Sequence, residues 1–143
     1  MSFAATGRFP RARRIRKRSE FLLIQSAGRP VKTEHFVLLL YASERAGPGE
    51  RVGARLGITV TRRLGSAVAR NRAKRLIREA FRHTRELWHD DVDLVVVVRR
   101  TPGAMKLADV INEWTLARTA ILDRTREAQY DSRKRQASLA GKL

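Results

Sequence analysis

Three aspartates precede a continuous β-branched run and are the first candidates for metal chemistry. Asp90, Asp91 and Asp93 stand directly before residues 94–98, LVVVV. Neighbouring carboxylates can bind a hard cation such as Mg²⁺. Such residues are also typical of a polar turn that leads into a buried strand, and the sequence favours this second interpretation.

Groups suited to nucleophilic or acid–base catalysis are scarce. The chain has no cysteine, which excludes disulfides and thiolate metal sites, and its three histidines, His35, His83 and His89, are scattered. The sequence contains no glycine-rich phosphate loop and no HExxH motif. It also shows no histidine paired with a carboxylate at a useful spacing. We therefore expect no catalytic residue and no metal ligand in this chain, even if it takes part in phosphodiester chemistry.

The clearest chemical pattern is a stripe of cations, which is suited to binding a polyanion. At about 100° per residue, residues 70–88 predict a helix with two different sides. One side is apolar and would pack on a sheet: Ala73, Leu76, Ile77, Ala80, Phe81, Leu87 and Trp88. The opposite side carries Asn71, Lys74, Arg75, Arg78, Arg82 and Arg85. Because Glu79 and Glu86 lie off the centre of this stripe, it favours a nucleic-acid face over a solvated one.

The composition points to the same kind of partner. The 143 residues suggest one domain, and 31 Lys+Arg against 14 Asp+Glu give a formal net charge of +17. Residues 1–18 and 62–85 together hold 16 of the basic residues. Repulsion on this scale requires a large anionic partner, with nucleic acid first and an acidic membrane surface second. No run of membrane-spanning length and no signal-peptide core is present, so we expect a cytoplasmic protein with no membrane partner.

The remaining pattern predicts the elements that position this helix. We predict an α/β (α+β) two-layer sandwich with the order α-β-β-α-β-α and a mixed sheet packed by helices. The helices are expected near 19–28, 70–88 and 107–121, and the strands at 36–43, 52–61 and 94–98. The first two strands are expected to form a hairpin across the Gly/Pro turn at 44–51. Along the second strand one face is small and polar, so either a group approaches the backbone there or the face is solvated.

Three segments follow from this organisation. Residues 1–18 are expected to be a basic N-terminal arm, residues 19–127 an RNA-binding α/β domain, and residues 128–143 a basic, flexible tail.

Several segments, in order, resemble one family. Residues 69–82, ARNRAKRLIREAFR, resemble the signature of the bacterial ribonuclease P protein: an Arg-Asn-Arg triplet, then Lys-Arg, two apolar residues and Arg. Residues 56–68 (LGITVTRRLGSAV) look like the family's strand and the loop that leads to this helix. Residues 9–21 (FPRARRIRKRSEF) and 93–104 (DLVVVVRRTPGA) also match, so the resemblance covers about residues 9–125.

The resemblance implies a function and a set of roles. The family's protein is part of a ribonucleoprotein that removes the 5′ leader from precursor tRNA, and its RNA subunit is the catalyst and holds most of the Mg²⁺. It implies a left-handed βαβ crossover and no required protein partner. Residues implied to bind the RNA subunit are Arg62, Arg63, Arg70, Asn71, Arg72, Lys74, Arg75 and Arg78. Residues implied to bind the single-stranded leader are Arg14, Lys17, Phe21, Val37 and Leu39.

The implied leader cleft departs from the family pattern. Many members carry further aromatic residues where this chain has Gln25 and Leu39, which leaves Phe21 as the one expected ring. Phe21 could equally be a core residue, since it lies beside Leu22 and Ile24. Two other functions remain open from the residues: a basic ribosomal or RNA-chaperone protein of similar fold, and a nuclease that uses the three aspartates.

Overall fold

The computed structural model describes residues 13–43 and 53–141 as four helices and four strands. Residues 1–12 of the predicted arm at 1–18 and the whole predicted Gly/Pro turn at 44–51 lie outside the described residues. The elements, in chain order, are α1 (Arg18–Ala27), β1 (Arg29–Lys32), β2 (Phe36–Ala42), β3 (Arg55–Thr59), α2 (Ala67–His83), β4 (Val92–Val98), α3 (Leu107–Leu116) and α4 (Arg118–Gly141). Among these helices, none is long and apolar enough to cross a membrane.

The sheet has the order β1-β2-β4-β3, so the predicted hairpin between the second and third observed strands is wrong. β4 lies between them, antiparallel to β2 and parallel to β3. A continuous run of valines is best buried on both faces and on both edges, which gives β4 the central position. β1 pairs antiparallel with β2 and was missed because its four residues include Pro30, which is typical of a turn or an edge strand.

Two sets of side chains alternate along the strands and fill two different faces. The first face forms the main core under α2, α3 and α4, with Phe36, Leu38, Leu40, Leu56, Leu94, Val96 and Val98 from the strands. The second face carries a smaller core under α1, made of Ile15, Ile24, Leu39, Tyr41 and Val95. The predicted α+β fold with a mixed sheet is confirmed. α1 adds a layer on the second face that a two-layer sandwich omits.

The C-terminal region corrects the prediction of a flexible tail from residue 128. Two helices replace the one that was predicted, and α4 continues to Gly141. Arg29 of β1 donates to both carboxylate oxygens of Asp131, at 2.8 and 2.9 Å. Arg135 donates to the carbonyl oxygen of Ala42 at 2.7 Å. These contacts join residues far apart in the chain, so local periodicity could not predict the helix that they stabilise.

Candidate nucleic-acid interface

α2 presents the predicted cationic stripe because its opposite side is fixed in the main core. Its buried residues are Ala73, Ile77, Ala80 and Phe81, as the apolar periodicity predicted. The Ser66 side chain caps the helix by accepting a hydrogen bond from the backbone N–H of Ala69 at 3.1 Å. The helix begins three residues earlier than predicted and ends at His83, after which residues 85–87 form a short 3-10 turn.

The three residues of the Arg-Asn-Arg triplet differ in exposure and in their hydrogen bonds. Asn71 is exposed, whereas Arg70 is half-buried and its Nε has no hydrogen-bond partner among the residues that the structure describes. Arg72 donates hydrogen bonds to the carbonyl oxygens of Gly103 and Met105, both at 2.8 Å. Arg72 therefore fixes the loop before α3, and Asn71 is the triplet member most open to a ligand.

Arg62 and Arg63 extend the stripe at the start of α2. Both are exposed in a 3-10 turn, Arg62–Leu64. The Thr101 hydroxyl holds this turn by donating to the carbonyl oxygen of Leu64 at 2.7 Å. Gly65 follows with φ 136°, a backbone conformation that other residues rarely adopt. The chain therefore turns sharply here, which places both arginines beside the first turn of the helix.

A pocket of about 400 Å³ lies between residues 14–16, which precede α1, and the elements α1, β3 and α2. Four cations, Arg14, Arg16, Lys74 and Arg78, line it together with the apolar or small residues Ile15, Phe21, Leu56, Gly57 and Ile58. Burial lowers the pKa of Arg78, and the charge of Arg14 lowers it further. Because the charge of Arg14 disfavours the charged form of Arg78, an anion bound beside both would stabilise it.

The Phe21 ring closes one side of this pocket by lying against the backbone of β3. A Cβ atom added to Gly57 would lie 2.8 Å from two atoms of the ring, so only glycine permits this approach. The small face of this strand is therefore approached by a side chain of the same protein. Phe21 is half-buried and packs against the smaller core, so its ring both supports α1 and borders the pocket.

The other predicted leader-binding residues are only partly brought to this pocket. Arg14 lines it, and Lys17 is exposed at the residue that precedes α1. Leu39 is 9% exposed beneath α1, so it supports the helix and has little surface for a ligand. Val37 is half-buried one row further along the sheet. It pairs with Val97 of β4, which in turn pairs with Thr59 of β3. Sequence reasoning missed Arg16, although its position in the basic arm was a usable signal.

Histidine–carboxylate pairs are present, which corrects the prediction that there are none. His35 Nδ1 lies 2.9 Å from Glu113 Oε1, and His89 Nδ1 lies 2.8 Å from Asp91 Oδ1. The backbone N–H of His35 also donates to Glu113 at 2.9 Å, which ties the β1–β2 turn to α3. Burial alone would raise the pKa of Glu113, but hydrogen bonds from Thr33 and His35 lower it.

The three aspartates do not converge on a cation site. Asp93 is buried on the second face, where Arg55 donates to its two oxygens at 3.0 and 2.8 Å. Arg55 also donates to Glu20 of α1 at 2.9 Å. Asp91 instead lies beside His89 and the side-chain amide of Gln129. Within residues 13–43 and 53–141, no group of three or more His, Cys, Asp or Glu could hold a metal ion, so the three aspartates do not form the cation site that their spacing suggested.

Together, the mixed sheet, the cationic helix and the cationic pocket define a class: a small basic α+β protein with a surface suited to RNA. A family model described as Ribonuclease P matches residues 9–121. The Ribonuclease P protein component of Syntrophus aciditrophicus is 39% identical over 103 residues, which cover 72% of this chain and 82% of that protein. The Desulfovibrio desulfuricans component is 45% identical over 98 residues, 68% and 72% of the two chains. The chain therefore belongs to the ribonuclease P protein family.

Solved structures agree with this assignment. The Thermotoga maritima RNase P protein is 31% identical, with a TM-score of 0.60 over 71% of this chain and 91% of that one. A Staphylococcus aureus RNase P protein, described as a mutant with defective mRNA degradation activity, is 28% identical. It superposes with a TM-score of 0.66 over 84% of this chain and 98% of that one.

Proposed function

We propose that this chain holds the catalytic RNA of ribonuclease P along α2 and the preceding turn. Its family membership gives the coarser role, that of a protein component of a tRNA-processing ribonuclease. The observation that carries the proposal is the one-sided helix, whose apolar side is buried in the main core and whose opposite side carries the cations. The residues proposed to contact RNA phosphates are Arg62, Arg63, Arg70, Asn71, Lys74, Arg75 and Arg78. Arg72 is proposed to act mainly by holding the loop before α3.

The cationic pocket is proposed to receive the single-stranded 5′ leader of precursor tRNA. An aromatic ring beside cations suits a strand of any sequence, because every base has a face that can stack and every nucleotide has a phosphate. Phe21 supplies the ring, and Arg14, Arg16, Lys74 and Arg78 supply the charge. Lys17 and Val37 are proposed to border the path of the strand beyond the pocket.

Cleavage itself is proposed to belong to the RNA subunit, with Mg²⁺ held mainly by that RNA. The described residues of this chain offer no donor set for the cation. A chain of net charge +17 placed between two polyanions supplies fixed positive charge that free cations would otherwise provide. All of the relatives named above are bacterial, and we place the function in the cytoplasm, where bacterial precursor tRNAs are made, with no further protein required.

Reconstitution tests this proposal directly. The protein, the RNA subunit from the same organism and a precursor tRNA are combined, and cleavage is measured over a magnesium titration. We expect the RNA with protein to need less magnesium than the RNA alone. Arg75→Ala should weaken binding of the RNA subunit and reduce its log–log salt slope by about 0.7–0.9. An unchanged slope in a folded Arg75→Ala protein would contradict the proposed role of α2.

A nuclease activity of the protein itself is the second candidate function. Two observations favour testing it: the Staphylococcus aureus mutant is described as defective in mRNA degradation activity, and this chain has two histidine–carboxylate pairs. The purified protein should be incubated with mRNA and with precursor tRNA in magnesium. If the protein cleaves RNA and Glu113→Gln or Asp91→Asn abolishes this cleavage, the protein has its own active site. If both substrates stay intact, the cleavage reaction belongs to the RNA subunit. The ribosomal or chaperone alternative loses its support because the family match covers residues 9–121.

A further inference from the structure

The last helix extends well beyond the segment that the family model matches. The match ends at residue 121, but α4 continues to Gly141. Thr125 and Ala128 are buried, and Asp131 and Arg135 contact β1 and β2. These contacts fix the rotation of α4 about its axis, so its outward side is a defined surface.

The carboxylates of this extension are already neutralised. Residues 122–141 contain three acids besides their many cations, Asp123, Glu127 and Asp131. Arg126 lies 3.5 Å from Asp123, and Arg124 lies 2.7 Å from Glu127. Both oxygens of Asp131 accept hydrogen bonds from Arg29 of β1, and this contact lowers the pKa of that carboxyl group. Asp131 therefore serves the fold, the other two acids pair within α4, and Arg133 and Lys134 remain exposed as excess positive charge.

Three outward residues of α4 combine two cations with an exposed aromatic ring. Tyr130, Arg133 and Lys134, here called the α4 basic face, follow the i, i+3, i+4 spacing of one helix side. The Tyr130 residue is 55% exposed, and Lys134 Nζ lies 5.7 Å from the centre of its ring. Arg133 and Lys134 are both exposed, and neither forms an ion pair with another described residue.

This combination is typical of a surface that binds RNA. A solvated helix normally places acids beside its exposed cations and does not expose a large ring between them. Guanidinium and ammonium groups contact phosphates, and an exposed tyrosine can stack on a base. An acidic peptide would use the charge of this surface but would have no special use for the ring.

The position of α4 indicates which RNA it reaches. α4 packs on β1 and β2. The strand order β1-β2-β4-β3 therefore places α4 near one edge of the sheet, whereas β3 and the pocket lie at the other edge. α4 and α2 lie in the same layer with α3 between them, whereas α1 lies on the other face. α4 therefore lies away from the pocket proposed to receive the leader and in the same layer as α2, which is proposed to hold the catalytic RNA.

We propose that the α4 basic face is a second contact with the catalytic RNA, outside the segment that the family model matches. This inference rests on the proposed function, because α2 supplies the first contact with the same RNA. Two contacts on one rigid RNA reinforce each other, since the first raises the effective concentration of the second.

The test compares three variants for binding to the RNA subunit as a function of salt. Arg133→Ala/Lys134→Ala removes two charges, and we expect the log–log salt slope to fall by about 1.4–1.8. Arg133→Lys/Lys134→Arg keeps both charges and should keep the slope. Tyr130→Ala should weaken binding at least about fivefold, which corresponds to the lower limit for one stacked base. Because these side chains are exposed, we expect all three variants to keep the wild-type thermal midpoint.

Each outcome bears on one claim. If the double alanine variant binds as wild type while Arg75→Ala binds more weakly, the inference is wrong and the proposed function stands. If neither variant changes binding, the proposed function itself fails. If the double alanine variant loses affinity for isolated precursor tRNA but not for the RNA subunit, the assignment to the catalytic RNA is overturned.

Discussion

The face of the sheet under α2, α3 and α4 differs from the face under α1 in what fills it. The first face buries large rings completely, including Trp114, Phe36 and Phe81, and its buried strand residues are all aliphatic or aromatic. The second face holds a small apolar core next to an ion network of Arg55, Asp93 and Glu20. It also borders the cationic pocket. One face therefore supplies most of the stability, whereas the other has less apolar burial and keeps a binding surface.

The largest effect is expected on the first face, from Trp114→Ala. Trp114 is fully buried and packs edge-on against Phe36 and Trp88. Its removal leaves a cavity and should lower the free energy of unfolding by about 3–5 kcal/mol. Urea denaturation measures this loss. If Phe21→Ala, on the second face, lowered the free energy of unfolding by as much, the proposed difference in stability between the two faces would be wrong.

The next effect concerns the ion network of the second face. Asp93→Ala leaves the largely buried Arg55 with Glu20 as its remaining partner, and we expect a loss of about 3 kcal/mol in the free energy of unfolding. Replacing both residues, as Arg55→Met/Asp93→Leu, removes the charge as well as its partner. The double variant should therefore be more stable than Asp93→Ala in the same urea experiment. Equal or lower stability of the double variant would mean that the network contributes more than charge compensation.

Phe21→Ala separates binding from stability on the second face. Loss of one stacked base should weaken binding of leader-bearing precursor tRNA to the holoenzyme by about 1–3 kcal/mol, with little change for mature tRNA. The matched control is Leu23→Ala, because Leu23 lies on the same helix and is 48% exposed. Equal losses for precursor and mature tRNA, or a loss as large in the control, would show that the ring acts only in packing.

The smallest effect depends on pH and concerns the contact between α3 and the β1–β2 turn. The pKa of Glu113 is held below its ordinary value of 4.5, so the charged form stabilises the fold above that pH. This contribution is lost as the pH falls through the lower, folded-state pKa. Wild type should therefore have a higher thermal midpoint than Glu113→Gln at pH 7, and the gap should close in acid. A gap that stays constant down to about pH 3, well below the ordinary carboxyl pKa, would contradict the assignment.

Local patterns predicted some parts of the molecule well and others poorly, for physical reasons. The buried side of α2 follows from residue periodicity and the central position of β4 from its continuous apolar run, because each apolar residue there meets the core. The family resemblance named Arg14 and Phe21 as neighbours in a cleft, and both line the pocket. The sheet order, the extension of α4 and the histidine–carboxylate pairs depend on residues far apart in the chain. The Arg72 contacts belong to the same group, since nothing in residues 69–82 indicates a loop 31 residues away.

The central position of β4 also determines the order in which the protein can fold during its synthesis. β1 and β2 are adjacent in the chain and can pair as soon as they leave the ribosome, but β4, the neighbouring strand of β3, is complete only when residue 98 has been made. Until then, the apolar edge of β2 that will receive β4 stays open. Open apolar edges pair with other chains, and pairings between distant segments form slowly. We therefore expect the nascent chain to be most prone to aggregation after β3 is made and before β4 is inserted.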